Sequence, residues 1–401
     1  MKLFQRLLVA PAALGLISPL AANATEVNLN EIANYSDVEN FEFTNSFDNG
    51  QLTKDTLLVG GEGLVGTDSY DGGFSETTTA SFSVDMAIGA VDGLGEDTTG
   101  TTNALIEGDQ TVQAAYSFQI DLNTSFTGED SLDVSIDAGN QPDATGPLAE
   151  FDFNTGTDGL SVDGVSYTFP VGDNITAIVG DNTDGSALFT TACAYGGPSN
   201  TLDDCGNVNA GITNGGFMAG AAYDFGNGWT TAVGYAGPED NIMSKEGIDA
   251  WGGNVAYTAD NYGISVTYGH IDSDDGAATP VPDGEKDAYT AFNAYYAFDN
   301  GVSISGGYEF GDIGGALATA DESINYFIGV SSEVGPGELG AAFGTSGGQI
   351  EGQDEELMYE AYYSYPLNDG MTITPLLFIQ EDATAGQPDR TGVMVKTSFS
   401  F

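Results

Sequence analysis

Carboxylates are the chemistry this chain has in quantity: 60 Asp and Glu stand against 7 Lys and Arg, 1 His and 2 Cys in 401 residues. Acids in pairs can cleave glycosides, but only at a fixed separation and with one carboxyl raised in a partly apolar pocket. Nothing in the sequence singles out such a pair. A serine nucleophile needs a base, yet His270 is the single histidine. The stretch "DSDDG", Asp272 to Gly276, approaches a calcium loop, with its glycine one position early and no Glu at the twelfth place. It reads as a solvated loop that attracts divalent cations loosely. The sequence therefore offers no catalytic residue, no metal site and no cofactor, and the chain is read as no enzyme. A net charge of −53 repels phosphate backbones and removes nucleic acid as a partner.

Acids that do no covalent chemistry can still line a path for ions, and the elements that would position them come next. The chain opens with "MKLFQR", then the apolar "LLVAPAALGLISPLA" and "ANA" at Ala22 to Ala24. Charged start, short apolar run and small-x-small end make residues 1–24 a secretory signal peptide; a membrane anchor is the competing reading, for which the run is short. Export places Cys193 and Cys205 in an oxidising compartment and favours a disulfide between them over a metal pair. Residues 25–70 are read as a short periplasmic linker and 71–401 as the main domain.

Within that domain the pattern repeats. From residue 217 onward, short Asn/Asp/Gly turns recur about every 33 to 39 residues, at Gly226–Gly228, Asp260–Gly263, Asp299–Gly301, Gly335–Gly337 and Asn368–Gly370. Earlier turns fall near Gly128 and Gly172. Between turns the residues alternate with period 2: Phe217, Ala219, Ala221, Tyr223 and Phe225 share one face, and Met218, Gly220, Ala222 and Asp224 the other. The second face is small or polar and, on these strands, lacks the bulky aliphatics of a sandwich core. Turns alternate short and long, and aromatics cluster at both strand ends, the pattern of an all-β transmembrane antiparallel barrel with short periplasmic turns and long acidic external loops. Seven hairpins, an opening strand in "TASFSVDMAIG" and the closing strand "TGVMVKTSFSF" make about 16, a size that leaves an aqueous channel. Residues 140–165 fit no strand unambiguously.

At this point several stretches resemble the outer-membrane porins of marine cyanobacteria, a group related to the carbohydrate-selective porins and including iron-uptake porins. They are the leader, "GGEGLV", "YDGGFSETTTASFS", "FTGEDSLDVSIDAGN", "SVDGVSYTFPVGD", "YTADNYGISVTYG" and, most specific, "TTACAYGGPSNTLDDCGNVNAGI". The likeness spans residues 1–24 and about 56–401. Residues 25–55 are too short for the surface-layer-homology domain usual in that group and lack its aromatic-rich helical signature, which leaves wall attachment open. The resemblance implies an outer-membrane homotrimer, passage of inorganic ions or carbohydrates, and recognition of a terminal aromatic, here Phe399 and Phe401, by the outer-membrane insertion machinery.

Alternation assigns Asp85, Asp121, Asp133, Asp137, Asp224, Glu309 and Glu360, with the base Lys396, to the lumen, and Val393, Val395, Phe399 and Phe401 to lipid. A lumen of one sign concentrates counter-ions, so cation preference is expected of a passive channel for small hydrophilic solutes. The cysteine loop lies in the longest interval between turns. Two placements are open: a constriction inside the barrel, with Asp203 and Asp204 near the narrowest point, or a stiffened external loop. A secreted acidic β-repeat protein, such as an adhesin, is the alternative function; it needs neither two aromatic belts nor a chain that ends inside its last strand.

Overall fold

Where Val, Ile, Tyr and Phe alternate with small polar residues, the chain is extended. The computed structural model describes residues 78–93, 112–141, 148–151, 153, 158–213, 215–240, 242–243, 249–272, 286–314, 322–347, 349–350, 352, 354–382 and 389–401. The leader, the linker and the expected start of the barrel at residue 71 lie outside them. The strands are β1 Thr78–Asp92, β2 Val112–Thr124, β3 Ser131–Gly139, β4 Ser161–Val171, β5 Ile175–Asp181 and β6 Phe217–Gly226. They continue with β7 Trp229–Gly237, β8 Ala250–Thr258, β9 Tyr262–Asp272, β10 Lys286–Ala297, β11 Val302–Asp312 and β12 Glu322–Val334. The last are β13 Gly337–Thr345, the two-residue β14 Gln349–Ile350, β15 Leu357–Asn368, β16 Met371–Gln380 and β17 Arg390–Ser400.

Each long strand pairs antiparallel with the next, β14 lies against β12, β13 runs on to β15, and β17 returns to β1. Setting β14 aside, 16 strands close on themselves. All seven expected tight turns join strands, including those near Gly128 and Gly172. Their backbones explain the residue choice: Gly226, Asn227 and Gly228 have φ of 71°, 57° and 84°, a left-handed stretch that Gly and Asn accept most easily. The turn before β3 is locked by Asp130, which accepts hydrogen bonds from Ser125, from the amides of Phe126 and Thr127, from the Thr127 hydroxyl and from Tyr167. The Thr127 hydroxyl above all holds this carboxyl well below the usual carboxylate range.

The two faces of the wall differ as alternation requires. Outward stand Met86, Ile88, Val233, Val255, Ile328 and Leu377, all well exposed. Rings bracket this band, with Tyr223, Phe225, Trp229 and Tyr262 toward the tight turns and Trp251, Tyr268, Phe310 and Phe343 toward the long loops. Among the described residues no helix is long and apolar enough to cross a membrane; strands of 9 to 13 residues such as β13 and β12 are of spanning length.

The inward face corrects one expectation. Leu148, Phe151, Phe153, Tyr195, Leu202, Phe327, Met358, Tyr362, Leu376, Phe378 and Met394 form a buried apolar cluster inside the barrel. Strands β2 and β6 carry the small, polar pattern read from sequence, but β12, β15, β16 and β17 carry bulky apolar residues inward. They are covered by chain that folds into the lumen, so the interior is partly a core.

The seam is closed at the terminus. Register runs from Ser83 opposite Ser400 to Asp92 opposite Thr391. Beyond it, Phe82 and Phe401 exchange two backbone hydrogen bonds of 3.0 Å each, and their rings stack at 5.8 Å. Deleting Phe401 removes both bonds, each about 0.5–1.5 kcal/mol, and a stacking term of similar size. The expected result is a lower unfolding temperature for the barrel in detergent and a smaller yield of folded protein on refolding; an unchanged temperature and yield would contradict this account of the seam.

Candidate functional site

The long connection from β5 to β6 does not stay outside the wall. It enters the lumen and crosses the inward faces of β6 to β15, and a disulfide between Cys193 and Cys205, 12 residues apart with Cα atoms at 6.4 Å, cinches it. Its main chain is fastened by side chains from successive strands. Thr190 N donates to Asn254 Oδ1 at 3.0 Å, Ala192 N to Ser265 Oγ at 2.9 Å, and Ala194 N to Ser305 Oγ at 2.9 Å. Asn293 Nδ2 donates to the Cys205 carbonyl at 2.9 Å. Asn209 N and Ala210 N both donate to Glu309 Oε2, at 2.8 and 2.7 Å. Farther round, the Tyr195 hydroxyl donates to Glu360 Oε1 at 2.6 Å. An irregular segment can be buried only if its backbone groups find such partners.

Glycine makes the approach close enough. A Cβ on Gly307 would collide with the Cys205 carbonyl, and one on Gly234 with the Gly185 carbonyl. On Gly269 it would come within 2.7 Å of the Ala210 carbonyl, and on Gly344 within 3.0 Å of Leu202. These glycines face inward on β7, β9, β11 and β13, where a bare backbone admits a second backbone. Apolar contacts finish the seat: Ile178, Met218, Ala236 and Ala250 from the wall pack with Leu188, Phe189 and Ile212 of the loop.

A second segment folds inward between β3 and β4. Ala149–Phe151 form one tight 3-10 turn. Gln141 Oε1 accepts from Phe153 N at 2.9 Å, Asn200 N donates to the Glu150 carbonyl at 2.8 Å, and Thr201 donates to the Glu150 carboxylate from amide and hydroxyl at 3.3 and 3.1 Å. The two infolded segments are thereby joined. Lys396 from β17 lies with Nζ 5.5 Å from the centre of the Phe151 ring, a cation–π distance.

The wall from β1 to β4 is different over the part nearer the tight turns, where its inward side chains are half-exposed; toward the long loops Ala87, Val91, Gln113 and Ala115 are buried. Register sets one acid on each of four successive rungs. Asp133 is level with Asn123, Asp121 with Ser135, Asp137 with Gln119, and Asp85 with Ser117. Rungs two residues apart on a strand are separated by about 7 Å, less than the roughly 8 Å screening length of physiological salt. Hydroxyl and amide donors dress the acids: Ser135 and Gln119 bond Asp121 at 2.8 and 2.7 Å, Asn123 bonds Asp133 at 2.6 Å, and Ser161 bonds Asp137 at 2.9 Å.

The residues singled out from sequence thus fall into three places. Asp85, Asp121, Asp133 and Asp137 share the half-exposed wall, with Lys396 inward on β17. Glu309 and Glu360 face inward but are buried, 0% and 5% exposed, under the loop rather than against open lumen. Asp224 sits at the lip of a tight turn and accepts from Gly226 N at 2.7 Å, outside the lumen proper. Asp203 is exposed on the loop while Asp204 is half-buried toward the wall. Sequence reading missed the anchors Asn254, Ser265, Asn293 and Ser305, and the infolded Glu150; glycines inside the strands were the available signal.

The comparisons with known proteins concern the fold. No family model matches the sequence, and no curated protein matches it. Among solved structures, a triple mutant of the Rhodopseudomonas blastica porin is similar with a TM-score of 0.53 and 15% identity, over 81% of this chain and 100% of that one. Two other mutants of the same porin align over the same shares at 0.51 and 14% identity. The fold is that of a porin barrel.

Electrostatics on the loop give a pH dependence. Burial, with the charges of Asp203 and Glu309 adding to it, pushes the Asp204 carboxyl up to about 7 against one opposing bond from Gly206 N. A released loop would titrate near the ordinary value of about 3.9. The seated state therefore holds an extra proton between the two values, so seating weakens as pH rises from about 4 to about 7 and changes no further above. Loop release, read as hydrogen exchange of the Asn209 and Ala210 amides after correction for the intrinsic rate, should be greater at pH 8 than at pH 5, and Asp204→Asn should remove the difference. Equal protection at both pH values in the unmodified protein would refute this.

Proposed function

We propose that the protein is an outer-membrane channel for passive diffusion of small hydrophilic solutes, with a preference for cations. The observation that carries the reading is the four-rung series Asp133, Asp121, Asp137 and Asp85 on the half-exposed wall, opposite a lumen loop that supplies acids rather than bases. A water path between them meets fixed negative charge at every level within a screening length. The infolded cysteine loop is the constriction in this reading, with Asp203 on its exposed side. Inorganic ions are the solutes best matched to the lining, and carbohydrates suit the hydroxyl and amide groups between the acids.

The remaining parts of the reading follow from export and from the resemblance to cyanobacterial outer-membrane porins. The leader directs the chain out, the insertion machinery takes the terminal strand with Phe399 and Phe401, hydrocarbon covers the outer apolar band, and three copies assemble. No catalysis is assigned to the acids. The secreted adhesin fits less well, since its exterior would meet water, whereas Val233, 61% exposed, and Ile88, 53% exposed, belong to a continuous apolar band between aromatic belts.

Reversal potential in bilayers under unequal KCl tests the selectivity. The potential is expected to lie toward the K⁺ equilibrium value, and Asp121→Asn with Asp137→Asn should move it toward zero. An anion-selective or unselective channel would sink the proposal.

A further inference from the structure

Most anchors of the lumen loop are neutral and exchange one or two hydrogen bonds. Glu309 is unlike them. It is fully buried, and four N–H groups converge on it. Oε2 accepts the consecutive amides of Asn209 and Ala210 at 2.8 and 2.7 Å, while Oε1 accepts Asn209 Nδ2 at 2.8 Å and Asn325 Nδ2 at 2.9 Å. Two successive backbone N–H groups aimed at one oxygen form an anion-binding nest. Every contact is a donor, which matches the acceptor oxygens of the Glu309 side chain.

Asn325 cannot turn away to relieve the site. Its Oδ1 accepts from the Thr345 hydroxyl at 3.2 Å and from Gln349 N at 3.3 Å, which holds its amide nitrogen toward Glu309. Glu309 and Asn325 are directly opposite in the β11–β12 register. The same wall carries Gly307 two residues earlier, beneath the Cys205 carbonyl. Charge and clearance therefore act on one side of the loop, at its cysteine end and four to five residues beyond.

We propose that Glu309 is a positioning residue for permeation: it clamps Asn209 and Ala210 to the wall and so fixes how far the cysteine loop projects into the lumen. This rests on the diffusion-channel reading and deepens it by assigning the aperture to a residue that does not itself line the water path. A glutamine there would offer one acceptor oxygen to four donors and direct its own amide hydrogens at N–H groups, so the loop loses its hold.

The test uses the full-length protein in planar bilayers. Glu309→Gln is expected to raise the frequency of high-conductance excursions on the order of tenfold, as loss of a charged buried hydrogen-bond partner predicts, and to admit larger solutes in liposome swelling. Heat-modifiable migration should persist, because the strand ladder is intact. The double variant Glu309→Gln with Asn325→Asp returns a carboxylate to the opposite register position and should restore the quiet channel. Gly307→Ala, which pushes the loop off by bulk alone, should reproduce the noisy channel with Glu309 present. Unchanged conductance in Glu309→Gln, or a double variant as noisy as the single one, would overturn the proposal. If Glu309→Gln yields no folded barrel, Glu309→Asp decides: a carboxylate drawn back by one methylene should give intermediate noise, and unmodified behaviour would overturn it. A channel that never forms in the unmodified protein would instead reject the diffusion reading itself.

Discussion

A strand surrounded by hydrocarbon has nowhere to place an unpaired N–H or carbonyl, and that constraint shapes the whole molecule. The first and last strands must meet, so β1 and β17 are in register over ten residue pairs and the chain's final residue completes the ladder. Closure in turn fixes which side of each strand faces in. Apolar side chains are committed to the outside, and the inside is left to whatever residues fall on the other parity.

Those inward residues divide into two populations with different physics. On β8 to β15 they are satisfied by loop backbone, and the wall there behaves as a protein interior, with glycines for clearance and one or two polar side chains per strand for fastening. On β1 to β4 they are satisfied by one another and by solvent, in a series of carboxylates dressed by hydroxyls and amides. Glu309 and Asp121 show the difference: both are inward acids on long strands, yet one is completely enclosed by N–H donors and the other remains half-exposed. The disulfide shortens the segment that must be held and so limits what the anchors have to restrain.

The turns, strand count, outward faces and closing seam were legible in the sequence because they are set by period-2 alternation and by residues such as Asn227 and Gly228 that accept left-handed backbone. The contents of the lumen were not. Alternation says that Glu360 and Met358 share a face with each other, but it cannot say that Tyr195 and Leu202 lie over them, since the loop has no period to read. The segment 148–153 escaped for the same reason, and with it the apolar interior around Phe151 and Phe378. Only Gly234, Gly269 and Gly307, out of place in strand interiors, hinted that another backbone passes close by.

Those glycines have a consequence for how the sequence can vary. At a wall position under the loop any side chain must displace the loop, while the strand ladder beneath it needs only a backbone and is indifferent to the change. Substitutions there shift the loop while leaving the ladder beneath it intact, which separates the tolerance of the scaffold from that of its interior. The contents of the lumen can therefore change by single steps along this track, without repacking the barrel.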